Sequence, residues 1–271
     1  MRSAMVEALT LTTESTAPAA QEQPTVWTSA EWIAYFRANL DNLMPIPWDA
    51  GAGITPEELA EIVASLRAWQ LGETSDGTRL IRTAEKHAAR IGDPGFVDVI
   101  RLFIAEEQRH GETLGRFLDA AGVPRAKRDL GDWLFRIFRH FLMRMEVWAT
   151  IVVIIEVHAM LYYAAIRRAT RSALLRRICE QILRDEVPHI RFQCERLAII
   201  HHRRNRVFHS LTAVMHRVLF VGITGAIWVG HRRALRAGGF TFRRFWRNAW
   251  TQMGKAWRVM NPKVYRWPAT A

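Results

Sequence analysis

Two short stretches of the chain place a carboxylate and an imidazole at the same spacing. Glu107 precedes His110 by three residues, and Glu186 precedes His189 by three residues. Both pairs lie in segments with helical periodicity, where positions i and i+3 share one face about one turn apart. Each pair could therefore bind a metal ion from one helix, and two such helices side by side could bind two ions.

Two further carboxylates complete the pattern. Glu73 lies 34 residues before Glu107, and Glu156 lies 30 residues before Glu186. The same unit therefore occurs twice: a helix with one Glu, then a turn, then a helix with Glu-x-x-His. Dinuclear sites of helix bundles are built in this way. The candidate metal ligands are Glu73, Glu107, His110, Glu156, Glu186 and His189.

All six candidates interrupt apolar stripes on the core side of their predicted helices. Around Glu107, for example, Ile100, Phe103 and Leu114 recur at helical spacing. Carboxylates buried together would either protonate or need cations, and two divalent ions would supply that charge. Each residue alone has an ordinary explanation, as a boundary Glu or a hydrogen-bonded core His, so the prediction depends on the six together.

Two other glutamates compete for ligand positions. Glu85 lies 12 residues after Glu73, which rotates it by ~120° at 100° per residue. Glu146 lies 10 residues before Glu156, ~80° from the same face. We interpret both Glu85 and Glu146 as non-ligands.

Over residues 55–200 this pattern resembles the ferritin-like di-iron carboxylate superfamily. The run from Ile182 to His189 is particularly similar to the fourth-helix motif of ribonucleotide reductase small subunits and related oxidases. The resemblance implies that Asp185 accepts a hydrogen bond from the free ring N–H of a ligand histidine, plausibly His110. Such outer carboxylates fix the tautomer and orientation of a ligand.

The resemblance further implies that Glu107 and Glu156 bridge the two ions. One departure limits the expected function. In the reductase small subunit a radical-forming tyrosine follows the second-helix histidine by one turn, and Leu114 stands at that position here. A tyrosyl-radical reductase subunit is therefore not expected.

The predicted fold is all-α: a ferritin-like four-helix bundle with an N-terminal helix and a helical, basic C-terminal extension. Pro188 lies inside the fourth helix, where it is expected to produce a kink. The predicted parts are a disordered tail (1–26), a short helix and loop (27–54), the bundle (55–203) and the extension (204–271). Within the bundle, the first two helices are predicted at 55–90 and 96–120. A crossover then contains a helix at 132–145, from which the third bundle helix continues to about residue 170. The fourth is predicted at 172–201.

Composition fits one domain with extensions, since the chain has 271 residues and 49% are hydrophobic. Cys179 and Cys194 lie 15 residues apart on one predicted helix, or ~22 Å by helical rise, too far to pair within a chain. No basic start leads into an apolar run with a cleavage site, so no signal peptide is expected. A reducing, cytoplasmic location is the simplest interpretation.

Residues 201–271 differ from the rest, with 14 Lys and Arg, five Trp and no Asp or Glu. The uncharged run Val218–Gly230 has 13 residues, which predicts a segment too short to span a bilayer. The basic, Trp-rich region 201–271 suits an anionic membrane surface, with the protein peripheral to the inner face of the membrane. It equally suits nucleic acid phosphates, or a solvated extension that packs on the bundle or on a second subunit.

The proposed donor set is rich in oxygen and has two imidazoles, which suits iron or manganese. The resemblance implies two Fe ions, or Mn and Fe, in an oxidase or oxygenase that activates O₂. Its substrate would be organic, either small or lipid-like, and an oxygenase would also need an electron donor. The alternatives are a ferroxidase or iron-handling protein, and a metal-free helical adaptor whose basic tail binds membrane or nucleic acid.

Overall fold

A computed structural model describes residues 23–75, 77–127, 144–202 and 206–267, with side chains omitted at 206–209. Within these ranges the regular secondary structure consists of helices, with no strand, which confirms the all-α prediction. The helices are α1 (Ser29–Leu40), α2 (Pro56–Glu73), α3 (Thr78–Ile91), α4 (Gly95–Ala120), α5 (Met145–Ala169), α6 (Ala173–His202), α7 (Arg206–Ala237) and α8 (Phe242–Val259). Single 3₁₀ turns occur at Trp48–Ala50 and Pro262–Val264. The predicted tail up to residue 22 and most of the predicted crossover helix lie outside the described residues.

The first predicted bundle helix is two helices in the structure. Its start is as expected, because the Thr55 side chain accepts a hydrogen bond from the Glu58 backbone N–H at 3.2 Å. The prediction of continuity to residue 90 is wrong, because α2 ends at Glu73 and α3 begins at Thr78. Gly77 causes the break: its φ of 65° is left-handed, and a Cβ there would meet the Ile104 side chain.

The four helices that carry the candidate ligands form a closed ring. Helix α2 packs on α4, α4 on α6, α6 on α5, and α5 on α2. Leu66, Leu114, Val153 and Ile182 bring one apolar residue from each helix into a common buried core. The predicted bounds of the last three helices agree with the structure to within one or two residues at the ends that are described. Helix α6 continues through Pro188.

Helix α1 covers the ring from the α4 side. Its start is fixed by a capping box, in which Thr28 and Glu31 each accept from the other's backbone N–H. Trp32 and Phe36 are fully buried against the bundle. The Trp32 indole N–H donates to Glu195 on α6 at 3.1 Å, which ties α1 to that helix as well.

The basic C-terminal segment packs on the bundle. Helices α7 and α8 both contact α5, and Phe220, Phe245 and Met253 are fully buried in the same core as the ring. Close approach at the end of α7 requires glycine, since a Cβ at Gly238 would meet the Ala165 backbone. The sequence left open whether residues 201–271 bind a membrane, bind nucleic acid or pack on the bundle. The structure shows that this segment packs on the bundle.

Two helices are long and apolar enough to cross a membrane by length and composition: α5 and the Ser210–Ala237 part of α7. This corrects the prediction that the segment around Val218–Gly230 is too short to span a bilayer, because α7 extends beyond that run on both sides. The apolar window of α5 is 83% buried inside the protein, as expected of a core helix, whereas that of α7 is only 17% buried.

Candidate metal centre

The structure brings the six predicted ligands into two overlapping groups. In the first group the ligand atoms lie within 4.8 Å of one another, and its members are Glu107, Glu156, Glu186 and His189. The second group meets the same limit and contains Glu73, Glu107 and His110. Glu107 belongs to both groups, which is the position of a carboxylate shared by two ions.

Both histidines present the same ring nitrogen to this cluster. His189 Nδ1 lies 2.8 Å from Glu107 Oε1 and 3.4 Å from Glu186 Oε2. His110 Nδ1 lies 3.8 Å from Glu186 Oε1. Glu186 is thus between the two imidazoles, a position that the resemblance had implied for Glu156.

The opposite ring nitrogen of His110 faces the residue expected from the sequence. His110 Nε2 lies 3.0 Å from Asp185 Oδ2, and both groups are buried. Gln181 Nε2 donates to the two Asp185 oxygens at 2.9 and 2.8 Å. Asp185 is therefore held in place from behind, and a proton on Nε2 leaves the Nδ1 lone pair of His110 for a metal.

Glu106 has the same relation to His189, and the sequence interpretation missed it. His189 Nε2 lies 2.8 Å from Glu106 Oε2, again between buried groups. An acid stands directly before each Glu-x-x-His motif, and each reaches the histidine of the other helix. That repeated acid is a signal that sequence reasoning could have used.

Two further side chains, Asn39 and Arg109, connect the acids of the two motifs. Asn39 on α1 donates through Nδ2 to Glu106, and to Asp185 Oδ1 at 3.1 Å. Arg109 Nη2 reaches the same two acids, at 2.9 Å from Glu106 and 3.3 Å from Asp185. Asn39 is buried, so the short N-terminal helix predicted from the sequence also supports the centre.

Two structural details position Glu73, the last residue of α2. Its Oε1 accepts a hydrogen bond from the Tyr163 hydroxyl at 2.8 Å. Gly111 allows the end of α2 to approach α4, because a Cβ there would lie 3.1 Å from the Glu73 carbonyl carbon. Neither contact follows from helical periodicity, and the sequence interpretation assigned no role to Tyr163 or Gly111.

The buried carboxyl groups of the cluster have strongly shifted pKa values. Burial raises the pKa of Glu73 and of Glu156 well above the usual carboxyl range, and the charge of Glu107 raises it further in both. Burial also acts to raise the pKa of Glu107, but the neighbouring imidazoles of His189 and His110 together outweigh it and lower that pKa to about 2. Without cations, the cluster therefore holds protons that metal binding must displace.

The unpaired polar atoms test whether metal ions fit. Buried donors and acceptors normally have partners, since an unsatisfied one costs on the order of 1–3 kcal/mol. Among the described residues, the buried side-chain atoms without a hydrogen bond include five that belong to the two groups. They are Glu107 Oε1, His110 Nδ1, Glu186 Oε1, Glu186 Oε2 and His189 Nδ1. Divalent cations among these residues would satisfy all five, so the residues present fit a metal centre.

The two rejected glutamates belong to neither group. Glu85 is exposed and lies 4.0 Å from Arg101 in an ion pair. Glu146 is buried, and its Oε1 lies 3.5 Å from His201 Nε2. Glu85 and Glu146 thus lie outside both groups.

A cavity of about 300 Å³ adjoins the carboxylate side of the cluster. Glu73, Glu107 and Glu156 contribute to its wall, whereas neither ligand histidine does. The rest of the wall is mainly apolar and aromatic, including Trp69, Phe103, Ile104, Trp148, Ile155 and Ile227. The His189 imidazole packs against aromatic side chains, with the rings of Phe103 and Phe36 at 4.9 and 5.9 Å, whereas His110 lines a second cavity of about 290 Å³.

In comparisons with protein-family models, curated proteins and solved structures, none matches this chain. The features that bear on its function are the helical fold and the buried carboxylate and histidine groups, which could hold metal ions.

Proposed function

We propose that the chain is a ferritin-like di-iron, or mixed manganese–iron, carboxylate protein that uses O₂ to oxidise an apolar organic substrate. The observation that carries the proposal is the reciprocal pairing of the two motifs. Each histidine turns Nδ1 toward shared carboxylates and Nε2 toward the acid preceding the other motif. A hydrogen-bonded core histidine needs no such duplicated arrangement.

The ligands divide naturally between two ions. Glu73 and His110 would bind the first, and Glu156 and His189 the second, with Glu107 and Glu186 between them. The oxygen-rich donor set with two imidazoles favours iron or manganese over metals that prefer thiolates. When bound and reduced, such a pair supplies the electrons for cleavage of O₂.

The chain itself supplies orientation and a cavity beside the cluster. Asp185 and Glu106 hold the two imidazoles in one tautomer, and Tyr163 holds Glu73. The apolar cavity lies on the carboxylate side, where Glu73, Glu107 and Glu156 face it. Its wall would exclude water and accept a hydrocarbon portion of a substrate. This wall favours oxidation of an organic molecule over the alternative of handling iron ions, for which polar lining would be expected.

Two measurements test the proposal against its alternatives. Elemental analysis after expression in iron-replete and manganese-replete media should give about two ions per chain, one for each of the two groups of ligand atoms. Content near zero in both media would leave the metal-free adaptor. Oxygen consumption should then depend on an added electron donor. Rapid consumption with ferrous iron alone, and no dependence on a donor, would indicate a ferroxidase.

A further inference from the structure

Helix α7 packs polar and apolar side chains against the protein, among them the fully buried Phe220 and Leu235, and turns a second apolar face toward solvent. Its fully or largely buried positions include Thr212, His216 and Thr224. Its outward positions are exposed and apolar, with Val218 at 65% and Val229 at 67% of full exposure. The outer apolar face consists of Leu211, Val214, Met215, Val218, Val221 and Val229.

Specific polar contacts fix this orientation. His216 Nε2 lies 2.8 Å from Thr150 Oγ1 on α5, and Thr224 Oγ1 lies 3.0 Å from His158 Nε2 on the same helix. Rotating α7 to bury its valines would separate these pairs and leave buried polar groups without partners. The outward position of the apolar face is therefore built into the packing of α7 on α5.

Such a face is unusual on a protein surrounded by water. Single exposed apolar residues are common, but a contiguous stripe on one helix marks a surface that contacts something apolar. The uncharged run Val218–Gly230 has 13 residues, or roughly 20 Å at about 1.5 Å per residue. Its occupant must accept a long, narrow apolar strip.

The charges that α7 and α8 themselves place beside the strip are all basic, and of these Arg233 is paired with Glu61 on α2. Exposed Arg217 stands at one end of the uncharged run, and exposed Arg232 and Arg236 follow its other end. The start of α8 adds exposed Phe242 beside exposed Arg243, Arg244 and Arg247. No Asp or Glu occurs beyond residue 200. An apolar strip flanked by basic and aromatic residues is the composition of a helix that lies in the interface of an anionic membrane.

We propose that the outer face of α7 inserts into the interfacial layer of an anionic lipid bilayer, with the flanking arginines at the headgroups. The helix lies along the surface and does not cross the membrane, because its other side is bonded to α5. A second copy of the chain fits less well, since two basic rims would meet without acidic partners. Nucleic acid would engage the arginines but leave the valine strip in water.

Helix α7 also forms part of the cavity wall through Ile227 and His231. If the proposed function holds, an apolar substrate dissolved in the bilayer would reach the cavity along this helix. The membrane contact itself does not depend on metal or on activity, so the two proposals can fail separately.

Flotation of the full-length protein with vesicles tests the contact. Vesicles of a neutral phospholipid alone are compared with vesicles that also contain an anionic one, at low and high salt. Wild-type protein should float with the anionic vesicles and lose binding as salt rises. Val218→Glu should weaken binding about tenfold or more. The apolar surface of one Val side chain is then no longer buried in lipid, and the added carboxylate is repelled by the anionic headgroups. Arg236→Ala should weaken it about fivefold.

Leu40→Glu is the matched control, because Leu40 is 50% exposed on α1. It should bind vesicles as wild type does. Unchanged thermal melting of all three variants would show that they fold, as expected for exposed positions. The proposal is overturned if wild type ignores anionic vesicles at low salt, or if Val218→Glu binds them equally well. It is also overturned if Val218→Glu instead converts a stable dimer to a monomer, or if only nucleic acid binds.

Discussion

The two halves of the candidate metal centre use the same motif, but their carboxylates lie at different positions in their helices. The first half-site, Glu73 with His110, includes the last residue of a helix, followed by the break at Gly77. The second half-site, Glu156 with His189, comes from the interiors of α5 and α6. A carboxylate at a helix end can change position more easily than one in mid-helix. We therefore expect the first half-site to exchange its ion more readily than the second.

The shared carboxylate should show the largest effect, because it belongs to both half-sites. Glu107→Ala is expected to reduce metal content from about two ions per chain to nearly none. Elemental analysis of the purified variant measures this. Glu85→Ala, which alters an exposed ion pair with Arg101, should keep full content. A Glu107→Ala protein that retains both ions would show that neither half-site uses this residue.

Substitution of the unshared carboxylates separates the halves. Glu73→Ala and Glu156→Ala should each lose about one of two ions, because each contributes to only one group. Glu146→Ala is the control on α5 and should lose none. If Glu146→Ala empties the centre while Glu156→Ala leaves it full, the assignment of the α5 ligand is wrong.

The acids behind the histidines should matter to a similar degree in both halves. Asp185→Asn and Glu106→Gln each keep the shape but remove the negative charge that faces a histidine Nε2. Loss of such a partner typically weakens metal affinity 10–100-fold. Competition with a chelator would give both constants. A large effect of Asp185→Asn with no effect of Glu106→Gln would refute the reciprocal arrangement.

The close helix contact at the first half-site offers a backbone test. Gly111→Ala would place a Cβ against Thr74 and the Glu73 backbone, at a cost of about 1–3 kcal/mol in unfolding free energy. It should also weaken the first ion more than the second. Gly72→Ala is the matched control, since nothing lies within 4 Å of its added Cβ. Equal unfolding midpoints in urea for the two variants would contradict the proposed contact.

Periodicity was enough to predict the helices and the faces that bring the six candidates together. Glu-x-x-His at two places and a Glu on each neighbouring helix are local patterns, and helical geometry turns them into shared faces. The break after Glu73 was missed because helical spacing continues across it, from Glu73 to Leu80 and Ala84. Asn39 and Tyr163 were missed because no local pattern links them to their partners, which lie 67 or more residues away. The outward side of α7 depends on which face α5 binds, and composition alone does not determine that.

The smallest expected effect concerns the hydroxyl that holds Glu73. Tyr163→Phe removes one buried hydrogen bond, at 2.8 Å, and otherwise preserves the side chain. The unfolding free energy should fall by about 1 kcal/mol, the usual net contribution of one such bond. The first ion should dissociate more easily, while the second should be unchanged, because Tyr163 contacts Glu73 on the first half-site. Tyr162→Phe is the control, since its hydroxyl instead contacts Ser65 at 3.2 Å. Chelator-driven release in two phases would resolve the ions, and faster release of only the slower phase in Tyr163→Phe would reverse our assignment of the more exchangeable half.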